Sequence, residues 1–244
     1  MTRNFRWNAV LACALLAACV LGCKPGGATS TNTNTPAPLV STPAETTLTT
    51  PDIDGQYNVA GTNPGGSPYR GTLEVIKHGD VYQFRWNVGQ QYDGVGVSIG
   101  NIVAVAFANG ADGKGCGVVD YAITGDGVLD GKWGYWGVDE SGTENARRST
   151  GSGLVGQYDA NGTNPNGKQY KGTMTVRSEG GGYRFSWSNG SEGFGIKQGN
   201  NVAVGIGGAR CGFVSYQIKP DGTMDGIWGG SGTSRTGTEK ATKR

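Results

Sequence analysis

The chain carries one segment twice. Asp-Gly-Gln-Tyr at 54–57, Gly-Thr-Asn-Pro at 61–64 and Tyr-Arg-Gly-Thr at 69–72 return as Gly-Gln-Tyr at 156–158, Gly-Thr-Asn-Pro at 162–165 and Tyr-Lys-Gly-Thr at 170–173. Both copies close alike, with Gly142-Thr143-Glu144 answered by Gly237-Thr238-Glu239. A unit near 100 residues is too long for a solenoid repeat and long enough for a domain. The copies are thus two readings of one fold, and each checks the other.

Within each copy the pattern is period two. Tyr69, Gly71, Leu73 and Val75 alternate with Arg70, Thr72 and Glu74, and Tyr170, Gly172, Met174 and Val176 do the same. Tyr82, Phe84 and Trp86 match Tyr183, Phe185 and Trp187. Val119, Tyr121 and Ile123 match Val214, Tyr216 and Ile218. Such alternation buries one face of a strand and solvates the other. Asp126-Gly127 and Asp221-Gly222 mark tight hairpins between runs. Glycine supplies 46 of 244 residues without a three-residue period, which excludes collagen and fits tightly curved sheets.

The fold class is therefore all-β: two tandem homologous small barrels of about eight short antiparallel meander strands each, with β-sandwiches as the alternative. The expected boundaries are 52–148 for the first barrel, 149–152 for a linker and 153–244 for the second. Large inward side chains on short strands predict packed interiors without a ligand cavity, so a partner would meet loops or outer faces.

The N-terminus reads as an address. Arg3 and Arg6 precede an apolar run from Trp7 to Leu21, interrupted only by Asn8. The run is too short to span a bilayer and has the form of a secretory signal, residues 1–22. Val20-Leu21-Gly22-Cys23 resembles the lipobox of bacterial lipoproteins, which implies cleavage before Cys23 and acylation of its thiol, palmitate included. Leu16-Ala17-Ala18-Cys19 fits the same pattern less well, because the chain stays apolar through Leu21. Residues 23–51, rich in Thr, Ser, Pro and Asn, cannot bury apolar surface and are expected to form a disordered tether of roughly 30 Å r.m.s.. Anchoring to the cell envelope is the expected consequence, in the outer membrane if the cell has one, since Lys24 is not the aspartate of retained lipoproteins.

Composition excludes several roles. Removing Arg3 and Arg6 from 21 basic residues leaves 19, equal to the 19 acidic ones, and no basic face is clustered, so nucleic acid is not a partner. No metal-ligand spacing, phosphate loop or nucleophile elbow occurs, and no cofactor or catalytic residue is expected. His78, the sole histidine, sits beside the Gly79-Asp80 turn without catalytic companions. Asp126/Asp221, Asp130/Asp225 and Glu144/Glu239 recur, yet aspartates at turns read as structural.

The candidate binding surface is Thr62 and Asn63 with Thr163 and Asn164 in the Gly-Thr-Asn-Pro turns, Lys114 in the 109–115 loop, and Trp136. Trp136 lies in Tyr135-Trp136-Gly137-Val138, which becomes Gly230-Ser231-Gly232-Thr233 in the second copy, so it is either an interface residue between barrels or an exposed contact. Cys116 and Cys211 hold matching places, one per copy; in an exported protein they could bridge the copies or remain buried thiols.

Taken together, these motifs resemble a family of small exported bacterial proteins, some labelled fibronectin-binding protein, across 52–148 and 153–243. The resemblance implies an adhesin or binding module for a protein or envelope partner, host matrix such as fibronectin included; the chain is further expected to be a non-catalytic monomer. An envelope enzyme inhibitor or chaperone-like lipoprotein is the alternative, and a hydrolase ranks below both. If Cys23 is the acylated residue, Cys23→Ser abolishes fatty-acid labelling and leaves an uncleaved precursor. Continued labelling of that variant would move the site to Cys19.

Overall fold

The computed structural model describes residues 52–109 and 113–244. The signal, Cys19, Cys23, the tether and residues 110–112 lie outside the described residues. The first copy supplies β1 (Gly55–Thr62), β2 (Pro68–His78), β3 (Val81–Asn87), β4 (Gln91–Ile99), β5 (Ile102–Asn109), β6 (Gly117–Gly125), β7 (Val128–Tyr135) and β8 (Gly142–Ser152). The second supplies β9 (Val155–Thr163), β10 (Gln169–Glu179), β11 (Gly182–Trp187), β12 (Glu192–Gln198), β13 (Asn201–Ile206), β14 (Gly212–Ile218), β15 (Met224–Gly229) and β16 (Gly237–Lys243).

These strands close two eight-stranded antiparallel barrels, not sandwiches, and the inward faces are those the alternation marks. The partition differs from the expected one. The first barrel contains β1–β5 and β14–β16; the second contains β6–β13. Each copy thus gives five strands to one barrel and three to the other. The copies meet at four seams: β1 with β16, β8 with β9, β5 with β14, where Val105 faces Val214, and β13 with β6, where Val204 faces Val119. Neither 52–148 nor 153–244 is a barrel by itself.

The supposed linker explains the exchange. Residues 149–152 are the end of β8, and only Gly153 and Leu154 separate β8 from β9. The two strands form a hairpin, paired from Ser152–Val155 to Thr143–Thr163. Gly153 has φ +59°, the left-handed conformation such a two-residue turn requires. Two residues span at most about 7 Å, so β8 and β9 cannot enter different barrels. The last strand of copy one is therefore bound to the first strand of copy two. The chain instead changes barrel between β5 and β6 and between β13 and β14, and a disulfide joins Cys116 to Cys211 beside these changes.

Each barrel is packed at one end. The Tyr57 hydroxyl donates to the Ile53 carbonyl at 2.7 Å, and Tyr158 donates to Leu154 at 2.8 Å, so a buried aliphatic residue plugs that end of each core. Between the barrels lies a third apolar cluster, with Val81, Val95, Val97, Ala104 and Ala106 facing Val118 and Ala203. Trp136 packs against this cluster, the interface of the two alternatives.

Asp120 is fully buried on the outer face of β6, where Asn201 Nδ2 donates to it at 3.2 Å. Burial pushes its carboxyl up to about 7, against hydrogen bonds from Asn201 and the Ile99 backbone that favour the anion. Ser215 holds the equivalent place and donates to Gln198 at 2.6 Å.

The partition and the buried carboxyl each carry a test. A fragment of residues 113–207 contains all eight strands of the second barrel in sequence and should unfold cooperatively by circular dichroism. An unstructured 113–207 beside a folded 153–244 would restore the repeat as the folding unit. Because the Asp120 pKa is higher folded than unfolded, its ionisation destabilises the fold. Stability should fall as pH rises from about 4 to about 7, then level off, by on the order of 4 kcal/mol. Asp120→Asn should flatten that slope in thermal melts, and an unchanged slope would exclude Asp120 as its source.

Candidate functional site

At the end opposite the plug, where β1 turns into β2, each barrel is not filled. The first holds a cavity of about 300 Å³ lined by Tyr69, Trp86, Tyr92, Phe107, Trp228 and Glu239, with Asn63 and Gln90 among its other lining residues. The second holds one of about 280 Å³ built on Tyr121, Trp133, Tyr135, Tyr170, Trp187 and Glu144. The expectation of solid interiors is corrected here. The large aromatics do point inward, but edge-to-face rings stand around a space instead of closing it. Phe107 meets Tyr92 at 5.8 Å and Trp228 at 6.1 Å between centroids, and Tyr69 meets Trp228 at 6.2 Å.

A carboxylate bounds each cavity. Glu239 accepts the Tyr69 hydroxyl at 2.8 Å, the Trp86 indole N–H at 3.0 Å, and the Tyr216 hydroxyl. Glu144 repeats this with Tyr170 at 3.0 Å, Trp187 at 3.1 Å, and Tyr121. Both glutamates are 6% exposed. A buried carboxylate is tolerable only with such donors. Burial, then the glutamate's charge, holds the Tyr69 and Tyr170 hydroxyls far above the ordinary range, so they remain donors at any physiological pH. Tyr121 and Tyr216 shift the same way for the same reasons.

The recurring glycines make room for this arrangement. A Cβ on Gly237 would lie 2.4 Å from the Trp228 indole nitrogen, and one on Gly142 would lie 2.3 Å from the Trp133 ring. The glycine of Gly-Thr-Glu thus lets a tryptophan lie over the strand that brings in the glutamate. Trp133 Nε1 donates to the Thr143 carbonyl at 3.3 Å. The Trp228 N–H is buried without a well-aligned acceptor, although it lies close enough to Tyr69 to oppose that hydroxyl's shift.

Neither copy owns a whole site. In the first barrel Tyr69 and Trp86 come from copy one, Tyr216, Trp228 and Glu239 from copy two; the second barrel reverses this. Strand exchange assembles both.

The sequence-based candidates divide. Asn63 and Asn164 line the two mouths, yet their amides are tied to their own turns, Asn63 to Ser67 at 2.9 Å and Asn164 to the Lys168 carbonyl at 2.9 Å. Thr62 bonds Thr238 at 2.8 Å, and Thr163 pairs with Thr143 across β8 and β9. Lys114 is exposed on a crossing segment. Trp136 is taken up by the barrel interface and does not serve as an exposed anchor. His78 faces Asp139 at 3.9 Å on the surface. Asp126 pairs with Arg148 at 2.7 Å, Asp130 accepts Thr124 at 2.7 Å, and Asp221 accepts the Thr223 N–H at 2.9 Å, so the recurring aspartates are structural. Among the described residues no group of three or more His, Cys, Asp or Glu is placed to hold a metal ion.

Sequence reasoning misses the glutamate-centred cage. Its signal is a charged residue on an inward face: Glu144 alternates with Gly142 and Ala146, and Glu239 with Gly237 and Ala241, all buried. No family model matches the chain, and neither a search of curated proteins nor one of solved structures found a match.

Proposed function

We propose that the chain is an exported, lipid-anchored envelope lipoprotein acting as a non-catalytic binding module, and that its two barrel mouths engage the partner. The observation that carries this reading is the carboxylate-bounded aromatic cavity, built twice from mixed copies. Partly apolar concave sites with few fixed polar groups are what small ligands and anchoring side chains enter. Each cavity is lined by one carboxylate already held by three donors, an arrangement for recognition and not for the paired carboxylates of glycoside hydrolysis. The lipobox-like Cys23 and the resemblance to exported binding proteins support the envelope address and a protein partner, with fibronectin the first to test.

The test uses residues 52–244 on immobilised fibronectin and on envelope extracts. Gln90→Arg with Asn189→Arg crowds both mouths from exposed positions; it removes only solvent-exposed turn bonds, to Ser191 and Tyr92, and should leave cooperative unfolding with a small loss of melting temperature. Binding should weaken by roughly thirtyfold or more, the effect of losing about 2 kcal/mol at an anchoring contact. Binding that survives this pair but fails on Lys114→Ala would move the surface to the crossing segments.

A further inference from the structure

We propose that the cavity of the first barrel takes an organic ammonium cation, an alkylated nitrogen seated between the tryptophan faces and drawn toward Glu239. This rests on the reading of the barrel mouths as binding sites and names the ligand class of one of them. Among the described residues three donors and no acceptor address Glu239, the pattern suited to an anionic carboxylate. No Lys, Arg or His among the described residues lines the cavity, so no cationic side chain along its wall balances that charge. The walls are Tyr69, Trp86, Tyr92, Phe107 and Trp228, and aromatic faces attract cations through their quadrupoles, indole most strongly. An anionic ligand would meet Glu239 unfavourably. A neutral apolar one would gain burial but leave the carboxylate without a counter-charge. An alkylated ammonium satisfies both surfaces, because it sheds water more readily than a bare ammonium and still carries charge.

The second cavity differs where selectivity would be set. Tyr92 pairs across strands with Trp86, whereas Ser191 stands opposite Trp187. Ile206 replaces Phe107, and Lys171 joins the lining beside Ser188 and Asn189. Tyr135 reaches to Ser191 and keeps that wall as aromatic as the first, so Lys171 makes the difference: a cation there meets a like charge, and the first barrel is the cation site.

Isothermal titration of residues 52–244 with choline, and with its neutral carbon isostere 3,3-dimethylbutanol, tests this. Choline should bind at one site, and the isostere about tenfold more weakly or worse. Glu239→Gln keeps the shape and should abolish the preference for charge. Tyr92→Ser installs the second copy's residue at a partly exposed position and should weaken choline by a similar factor in a protein that still unfolds cooperatively, although the ring packed on Phe107 is lost. Glu144→Gln should leave choline binding intact. Equal binding of choline and the isostere overturns the proposal, as does unchanged affinity in a folded Glu239→Gln or Tyr92→Ser protein, or no binding of choline at all. If choline fails while the mouth-crowding pair still abolishes partner binding, the cation inference falls and the binding-module reading stands.

Discussion

Everything distinctive in this molecule depends on a connection of two residues. Gly153 and Leu154 join the last strand of one copy to the first strand of the next, and no chain can leave a barrel in that distance. In a closed meander those two strands are neighbours in any case, as β16 and β1 show by pairing without a covalent link. The hairpin therefore costs no contact that two separate barrels would have made. It only reassigns which copy makes it. The exchange is completed between β5 and β6 and between β13 and β14, which lie in different barrels. Cys116 and Cys211 stand just before β6 and β14, and their disulfide ties the two changes of barrel together across 95 residues of sequence, a separation at which closing a loop in the unfolded chain carries a large entropic cost.

The exchange changes what the duplication means for function. Had each copy closed on itself, one could lose its site while the other kept its own. Here each buried glutamate depends on donors from the other copy: Glu239 on Tyr69 and Trp86, Glu144 on Tyr170 and Trp187. A substitution in one copy is felt in the other copy's carboxylate. That dependence offers a physical reason for Tyr-x-Gly-Thr, the Phe-x-Trp run and Gly-Thr-Glu to appear in both halves, while residues at the cavity rims have drifted.

Much of this fold is legible in the sequence. The period-two alternation of Leu73, Val75, Phe84, Trp86, Val103 and Val105 names strand faces correctly, because burial against one core dictates the pattern whichever copy supplies the neighbouring strand. That same indifference hides the exchange. A β6 that closes on β13 and a β6 that closes on β5 need the same inward residues, so alternation carries no record of strand partnership. The clue lies in spacing: residues 149–152 read as a linker from their Ser, Thr and Gly content, and only the two-residue gap before β9 marks them as strand. The cavities escape for a different reason. Inward aromatics suggest a filled barrel, but whether rings close a space or stand around it depends on their rotation. A glutamate alternating with glycine and alanine is the residue-level sign of a polar interior.

The surface between the barrels shows where the two copies were free to diverge. The inward positions are nearly duplicated, whereas the outward faces of β6, packed on β4 and β5, and of β14, packed on β12 and β13, are not: Asp120 is answered by Ser215, and the Trp136 loop by glycine and serine. A barrel interior is constrained twice over, since each copy packs inside both barrels. The junction is constrained once, because each of its places contacts only one face of the partner barrel. Asp120 is tolerable there through hydrogen bonds from Asn201 and the Ile99 backbone, at the cost of a raised pKa. The same reasoning applies at the mouths. Tyr92 and Ser191 occupy equivalent places at a solvent boundary: Tyr92 packs edge-on to Phe107 in one barrel, and Tyr135 reaches to Ser191 in the other. Positions with one neighbour and access to water are those at which two sites of common origin can acquire different ligands, and they are the positions at which these two cavities differ.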